Sequence, residues 1–239
     1  RLLTVGFNAG LWQDRLKVDF EFYNRQTVDM LMDIPYPATS GYASGYKNVG
    51  GLVNRGVDVN ISGDVVRTKD WYVGLYANFN YNKSMITEIF NGYEEYPRPS
   101  YMLNYAIGHD AGEFYCETLV GVDPEDGKYM WAYIDPETGE RGTTKDFNQA
   151  TPELQGISQY APWAGGFGLN AAWKGLSVAA DFSWNYGKGL VNNDRYFMEY
   201  DSYTSYSRSK DLLDRWEEKG DIAKFAKFGE AIQFDSHLL

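Results

Sequence analysis

The sequence predicts an all-β protein, an antiparallel transmembrane β-barrel segment, and three observations carry that prediction. The first is alternation: Leu16, Val18, Phe20 and Phe22 interleave with Lys17, Asp19 and Glu21, so one strand face is apolar and the other charged. The same pattern recurs in 71–82 and 176–186, at the length of a tilted strand crossing a bilayer. The second is connection length: short turns alternate with long segments, as when short periplasmic turns lie on one side of a membrane and long extracellular loops on the other. The third is placement of aromatics. Trp71 and Trp173 flank short turns, and Tyr81, Trp184 and Tyr186 stand at the opposite strand ends, giving two girdles.

Six strands can be placed in order. The first covers 3–11, with Leu3, Val5, Phe7, Ala9 and Leu11 on one face, and Gln13-Asp14 turns it into the second, 15–24. Trp12 also flanks that turn but falls off the parity of its strand. The third covers 57–65, where Val57, Val59 and Ile61 oppose Asp58, Asn60 and Ser62. The link Arg67-Thr68-Lys69-Asp70 leads to the fourth, 71–82. The fifth, 166–173, turns at Lys174-Gly175 into the sixth, 176–186. Period-two runs bounded by Gly, Asp and Asn are the usual strand and hairpin signals. The intervening segments 25–56, 83–165 and 187–239 are expected to be extracellular loops, and loops of that length usually carry function. Within them, 128–134 reads as a short hairpin strand, and 209–219 could form a short helix with Leu212, Leu213 and Trp216 on one side, stopped by Gly220.

Composition agrees. Tyr 20, Phe 13, Trp 7 and Gly 25 in 239 residues favour strands and turns over helices. Mean hydropathy is -0.48, and no run of the length of a membrane-spanning helix is present. A net charge of -11 without a visible basic face argues against nucleic acid as a partner. The lone Cys116 excludes an internal disulfide and a cysteine-based metal cluster. Arg1 leads straight into a strand pattern with no signal peptide, as expected of a mature sequence or an internal fragment.

Several stretches together resemble one family. Tyr46-Lys47-Asn48-Val49-Gly50, followed by Val53-Asn54-Arg55-Gly56-Val57-Asp58, is similar to a signature of the SusC/RagA-type TonB-dependent outer-membrane transporters. Ala111-Gly112-Glu113 with Val120-Gly121-Val122-Asp123-Pro124-Glu125-Asp126-Gly127 resembles one of their loops. So do Ser158 to Phe167 with Pro162 and Gly165-Gly166, Leu213-Asp214-Arg215-Trp216 with Gly220-Asp221, and Phe234 to Leu239. The order and spacing of these motifs cover nearly the whole chain. The resemblance implies the C-terminal barrel portion of a 22-stranded barrel around a plug, with the plug domain and the TonB-contacting segment outside this sequence. It further implies import of glycan or peptide oligomers across a bacterial outer membrane, energised through TonB, with a SusD-like lipoprotein as lid. No cofactor is implied.

Candidate chemistry is sparse. Asp123, Glu125 and Asp126 before Gly127, then Asp135-Pro136-Glu137-Thr138-Gly139, could suggest a calcium loop, but their spacing misses the EF-hand template and ordinary turn chemistry accounts for them. Asp19 and Glu21 share a strand face and could mimic a glycosidase pair, yet Lys17 shares it too, as expected of a wet lumen. His109 and His237 stand alone in the sequence, and no catalytic triad is visible. Loop aromatics are the better candidates: Tyr93, Tyr96, Tyr101, Trp131, Tyr133, Tyr160 and Trp163 could stack on sugar rings or peptide side chains. Of these Trp131, Tyr133, Tyr160 and Trp163 are expected to contact substrate or lid; the competing expectation is that they pack the loops together. Two rival readings remain. A soluble β-sandwich carbohydrate-binding module or glycosidase domain would bury the apolar strand faces against each other, and a purely structural surface protein would leave nutrient use unchanged on deletion.

Overall fold

The computed structural model describes residues 1–98, 102–200 and 205–239; Tyr101 lies outside them. The chain divides into two compact units, one of Arg1–Pro97, Tyr105–Gly112 and Ser158–Lys188, the other of Arg98–Asn104, Glu113–Ile157 and Gly189–Leu239. Among the described residues no helix is long and apolar enough to cross a membrane, a statement that does not bear on strands.

The first unit is built on β1 (Leu2–Leu11), β2 (Leu16–Pro35), β3 (Ser44–Arg67) and β4 (Trp71–Glu88). Then come the short β5 (Glu95–Arg98), β6 (Leu103–Ala106), β7 (Glu113–Glu117), β8 (Leu119–Val122), β9 (Tyr129–Ile134), β10 (Arg141–Thr144) and β11 (Pro152–Ser158), before β12 (Trp163–Trp173) and β13 (Leu176–Tyr186). A six-stranded antiparallel sheet runs β1-β2-β3-β4-β12-β13. Its register places apolar side chains in continuous rows. Ala9, Val18, Ile61, Ala77, Phe167 and Phe182 are successive partners, as are Val5, Phe22, Val57, Tyr81, Trp163 and Tyr186. The alternate rows are polar: Asn8, Asp19, Asn60, Asn78, Gly166 and Ser183 lie side by side. Since strand parity is two, the unbroken register of these central rows, which lie between the shifts at the ends of β2–β3 and β3–β4, keeps them on one face.

That apolar face is open. Phe7, Leu75, Phe167, Val178 and Phe182 are each about half accessible or more, held mainly by their row neighbours, with Phe7 on Phe20 at 5.6 Å and Phe167 on Phe182 at 5.1 Å. A sandwich core would bury these rings under a second sheet.

At the loop end β2, β3, β4 and β12 run beyond the sequence-based bounds of 15–24, 57–65, 71–82 and 166–173. Segment 25–56 is therefore mostly paired strand, turned over at 36–43. A bulge sets Val28 and Asp29, the latter at φ 53°, between the pairs Thr27–Leu52 and Met30–Gly50. It reverses the face on which the later residues of β2 lie. Met30, Met32 and Ile34 keep the even numbering of Phe20 and Phe22 but pack with Leu52, Ile86, Ile89 and Phe90 on the opposite face, in a local core. At β12, Gly165 admits the close approach of Asn78 O and the Trp184 ring that a Cβ would obstruct.

In the second unit β8, β9 and β10 form a meander with β9 in the centre. Tyr129 and Trp131 from β9 pack with Ala226 and Ile232, surrounded by Leu119, Val122, Phe147, Tyr196 and Tyr200. The helix α1 (Asn193–Glu199) is capped by Asn192, whose side chain accepts from the Arg195 amide. The expected helix over 209–219 is instead a 3₁₀ turn at Lys210–Leu213, with Leu212 buried and Leu213 exposed. Asp214 and Trp216 beyond it exchange backbone hydrogen bonds with Phe225 rather than within a helix.

Candidate functional site

All the long connections leave the six-stranded sheet at one end, after β2, β4 and β13, while β1–β2, β3–β4 and β12–β13 are joined at the other by turns of a few residues. Aromatic rows mark the two ends. Trp71 stacks on Trp173 at 5.5 Å beside the short turns, and Tyr81 meets Trp163 at 4.2 Å at the loop end. The 11 residues of β12 join those rows. At about 3.3 Å per residue they span roughly 33 Å, which a tilt near 40° projects to about 25 Å, the height of a lipid-facing band.

The polar face is hydrogen-bonded across strands. The Tyr76 hydroxyl donates to Asp181 Oδ1 at 2.6 Å, Tyr72 to Asp64 Oδ1 at 2.9 Å, and Tyr23 to Asn82 Oδ1 at 3.1 Å. Asp19 and Glu21 line an open groove there with Asn8, Asp58, Asn60, Asn78 and Asn80. Glu21 lies directly across from Asp58, whose Oδ1 accepts from the Asn80 amide. This is an amide- and carboxylate-rich face suited to many weak polar contacts.

The four aromatic candidates divide between the two units, Tyr160 and Trp163 in the first and Trp131 and Tyr133 in the second. Trp131 is 5% exposed, and its indole Nε1 donates to Asp235 Oδ2 at 2.7 Å, so it packs the second unit. Tyr133 stands two residues along the same strand, partly buried. Trp163 sits on the apolar face against Tyr81 and Phe79, the position of a girdle residue rather than of a polar binding wall. Tyr160, 60% exposed, lies across Gly112, where a Cβ would meet its ring at 2.5 Å. Of the four it alone has a broadly accessible ring. Tyr96 packs edge-on against Phe90 at 5.0 Å in the first unit's core, and Tyr93 does so at 5.2 Å while half exposed.

The acidic turns hold themselves. Lys145 Nζ lies 2.5 Å from Asp123 Oδ2 and 3.1 Å from Asp126 Oδ2, where a cation bound by the pair would sit. That lysine, with the Glu125 amide, holds the Asp123 carboxyl below the usual aspartate range, and Asp123 in turn raises the lysine. Asp135 is lowered by the Thr138 and Glu137 amides that close its turn. Among the described residues no cluster of His, Cys, Asp and Glu could hold a metal.

Sequence reasoning missed a polar cluster in the second unit, built around the buried Glu199 with Arg195 and His237 half-buried beside it. His237 Nε2 lies 2.7 Å from Glu199 Oε2, and Arg195 Nε donates to Glu199 Oε1 at 3.0 Å. Arg195 also donates to the His237 carbonyl at 2.9 Å. Beside it, burial pushes Asp235 and Glu117 up, and drives the Cys116 thiol up to about 12, so that sulfur is inert as a nucleophile. The partners stand 38 and 42 residues from His237, a separation that strand periodicity does not report. The only local signal was the four-residue spacing of Arg195 and Glu199.

No family model matches the chain. TonB-dependent receptor P39 of Formosa agariphila is 22% identical over 264 residues, covering 93% of this chain and 25% of that protein. TonB-dependent receptor P3 of the same organism is 30% identical over 90 residues, 38% of this chain and 9% of the relative. Among solved structures, the RagAB peptide transporter matches with a TM-score of 0.89 and 38% identity over 99% of this chain and 26% of the other. The RagAB peptide importer in its "open-open" state matches at the same TM-score and identity. The chain thus spans about a quarter of the length of the relatives that match it over most of its own length. These relatives are receptors and transporters, not enzymes.

Proposed function

This chain belongs with the SusC/RagA-type TonB-dependent outer-membrane receptors, matching a stretch of their barrel, and from that premise we propose that it forms part of the wall and mouth of an importer. The observation that carries the reading is the uncharged, outward-open face of the six-stranded sheet, bounded by aromatic rows a bilayer's hydrocarbon thickness apart. Such a face is costly in water and stable against lipid. The sheet contributes six strands to a barrel closed by others, 22 in all around a plug. The turns at 12–15, 68–70 and 174–175 are periplasmic, and 36–43 and the segments after β4 and β13 are extracellular.

The cargo is an oligomer, and peptide is favoured over glycan by the 38% identity to a transporter of peptides. Asn-, Asp- and Tyr-lined walls hydrogen-bond peptide backbones without demanding a particular side chain. A SusD-like lipoprotein closes over the extracellular segments, and TonB acts through the plug.

Two measurements test this. Protease added to intact cells should cut within 36–43 and spare the three short turns until the outer membrane is permeabilised; early cleavage at 68–70 would overturn the topology. Deleting the full-length receptor should abolish growth on oligopeptides as sole nitrogen source and leave growth on free amino acids unchanged. Loss of growth on an oligosaccharide alone would replace peptide by glycan.

A further inference from the structure

From the Trp71–Trp173 row to the row of Tyr81, Trp163 and Tyr186, the apolar face carries no formal charge on any of its six strands. The next row toward the loop end, on that same face, runs Leu3, Asn24, Arg55 and Lys83. Arg55 and Lys83 are direct cross-strand partners and both are exposed. Among the described residues neither makes an ion pair, and the Arg55 Nε bond to Asn24 Oδ1, at 3.4 Å, is with a neutral amide.

Like charges placed directly opposite on a sheet destabilise it unless an anion lies between them. The overall charge of -11 makes this local pairing of cations stand out, because the chain as a whole repels anions. Its height is informative too. Two residues beyond the Tyr81 row is about 7 Å along the strand, roughly 5 Å above the aromatic belt after tilt, the depth of headgroups rather than of bulk solvent. Asn24 holds the guanidinium through Nε, leaving its terminal nitrogens to donate, and a guanidinium beside an ammonium suits a tetrahedral phosphate.

We propose that Arg55 and Lys83, with Asn24 orienting the arginine, form a binding site for the phosphate of an anionic lipid headgroup in the leaflet on the long-loop side of the membrane. The site rests on the outer-membrane reading above and names the lipid chemistry that wall selects. A lipid is chosen over a free anion because the site continues the apolar face without a break, so the acyl chains lie along Tyr81 and Trp163 while the phosphate meets the cations.

The test uses the full-length receptor extracted from outer membranes in mild detergent, with retention of lipid A measured by native mass spectrometry. Bisphosphorylated lipid A should be retained, and chemically dephosphorylated lipid A should not. Arg55→Gln and Lys83→Gln should each weaken retention about fivefold, and the double variant about thirtyfold. Arg25→Gln, adjacent in sequence to Asn24 but on the polar face, should change nothing, and Arg55→Lys should keep most of the binding. Heat-modifiable migration checks that every variant is folded. Equal retention of the two lipid A forms, or undiminished retention by the folded double variant, would overturn the site. So would displacement of lipid A by inorganic phosphate at equal concentration, which would mark a free-anion site. A receptor that left the membrane without detergent would instead overturn the wall reading and the site with it.

Discussion

The Trp131 indole donates to a carboxylate oxygen of Asp235 at 2.7 Å, 104 residues away in sequence, with both side chains buried. The other Asp235 oxygen accepts the His237 amide at 2.8 Å, and the neighbouring Ser236 hydroxyl accepts the Leu119 amide at 2.9 Å. The last residues of the chain are thereby fixed to the β8–β9 meander. A buried carboxylate is tolerated where donors meet its oxygens, and it specifies one arrangement because any slip would leave it unpaired.

Removing that acceptor should loosen the second unit without disturbing the six-stranded sheet. Asp235→Ala leaves the indole N–H and the His237 amide without their partner, a cost of about 1–3 kcal/mol. Trp131→Ala, which also removes packing against Phe147 and Tyr129, should cost about 3–5 kcal/mol. Hydrogen exchange on the full-length receptor is the measurement, since local opening reports on one unit. Protection should fall in 119–134 and 225–239 and persist in 163–186. Uniform loss across both would refute the separation.

The same carboxyl gives a pH dependence whose sign is determined by burial. Desolvation raises Asp235 and Glu117 above their ordinary values of 3.8 and 4.5. The folded unit then holds these protons more tightly than the unfolded chain, so their contribution is fully present below the ordinary values and is lost as pH rises through the elevated ones. The lowered Asp123, Asp135 and Asp221 act oppositely, losing their contribution as pH falls, but they are only half-buried and solvent screens them, so their effect is weak. Protection in 225–239, corrected for intrinsic exchange, should decline from pH 4 upward. In Asp235→Asn that slope should flatten; an unchanged slope would remove Asp235 as its origin.

The two faces of the sheet should respond differently to one substitution at adjacent positions. Phe182 lies midway between the aromatic rows on the apolar face, partnered by Phe167, while Ser183 points to the polar face. Phe182→Arg should cost about 2–4 kcal/mol in the folded barrel, and Ser183→Arg little. Urea unfolding of the full-length protein in lipid vesicles separates them. Equal costs would contradict the assignment of faces.

The sheet was legible because its signal is local: a period of two in 16–22, 71–82 and 176–186 needs no knowledge of distant residues. The ends of the strands were less so. One bulge at Val28–Asp29 moves Met30, Met32 and Ile34 to the other face while leaving their numbering even, and composition alone reads that stretch as loop. The fifth strand was read from 166, yet β12 begins at Trp163, and Gly165 within it allows the strand to pass close to its neighbours. The candidate site was read from residue type, and type does not report burial. Trp131 and Tyr160 are both loop aromatics in the sequence; one is anchored to Asp235, the other lies open over Gly112.

That contrast singles out Tyr160 for a test of cargo contact. Its ring is held by the absence of a side chain at Gly112, and the Ser158 hydroxyl accepts the Tyr160 amide at 3.1 Å, so the loop presents the ring in one place. A fixed aromatic loses little entropy on binding and contributes about 0.5–1.5 kcal/mol to a stacked contact. Tyr160→Ala in the full-length receptor should therefore weaken oligopeptide binding about three- to tenfold. Gly112→Ala should do much the same by displacing the ring with Tyr160 still present. Tyr160→Phe, which keeps the ring, should bind as the parent does. Calorimetry on detergent-solubilised receptor reads the affinities, and heat-modifiable migration checks the barrel. If Tyr160→Ala and Gly112→Ala both bind peptide normally, the ring serves only to cover its loop.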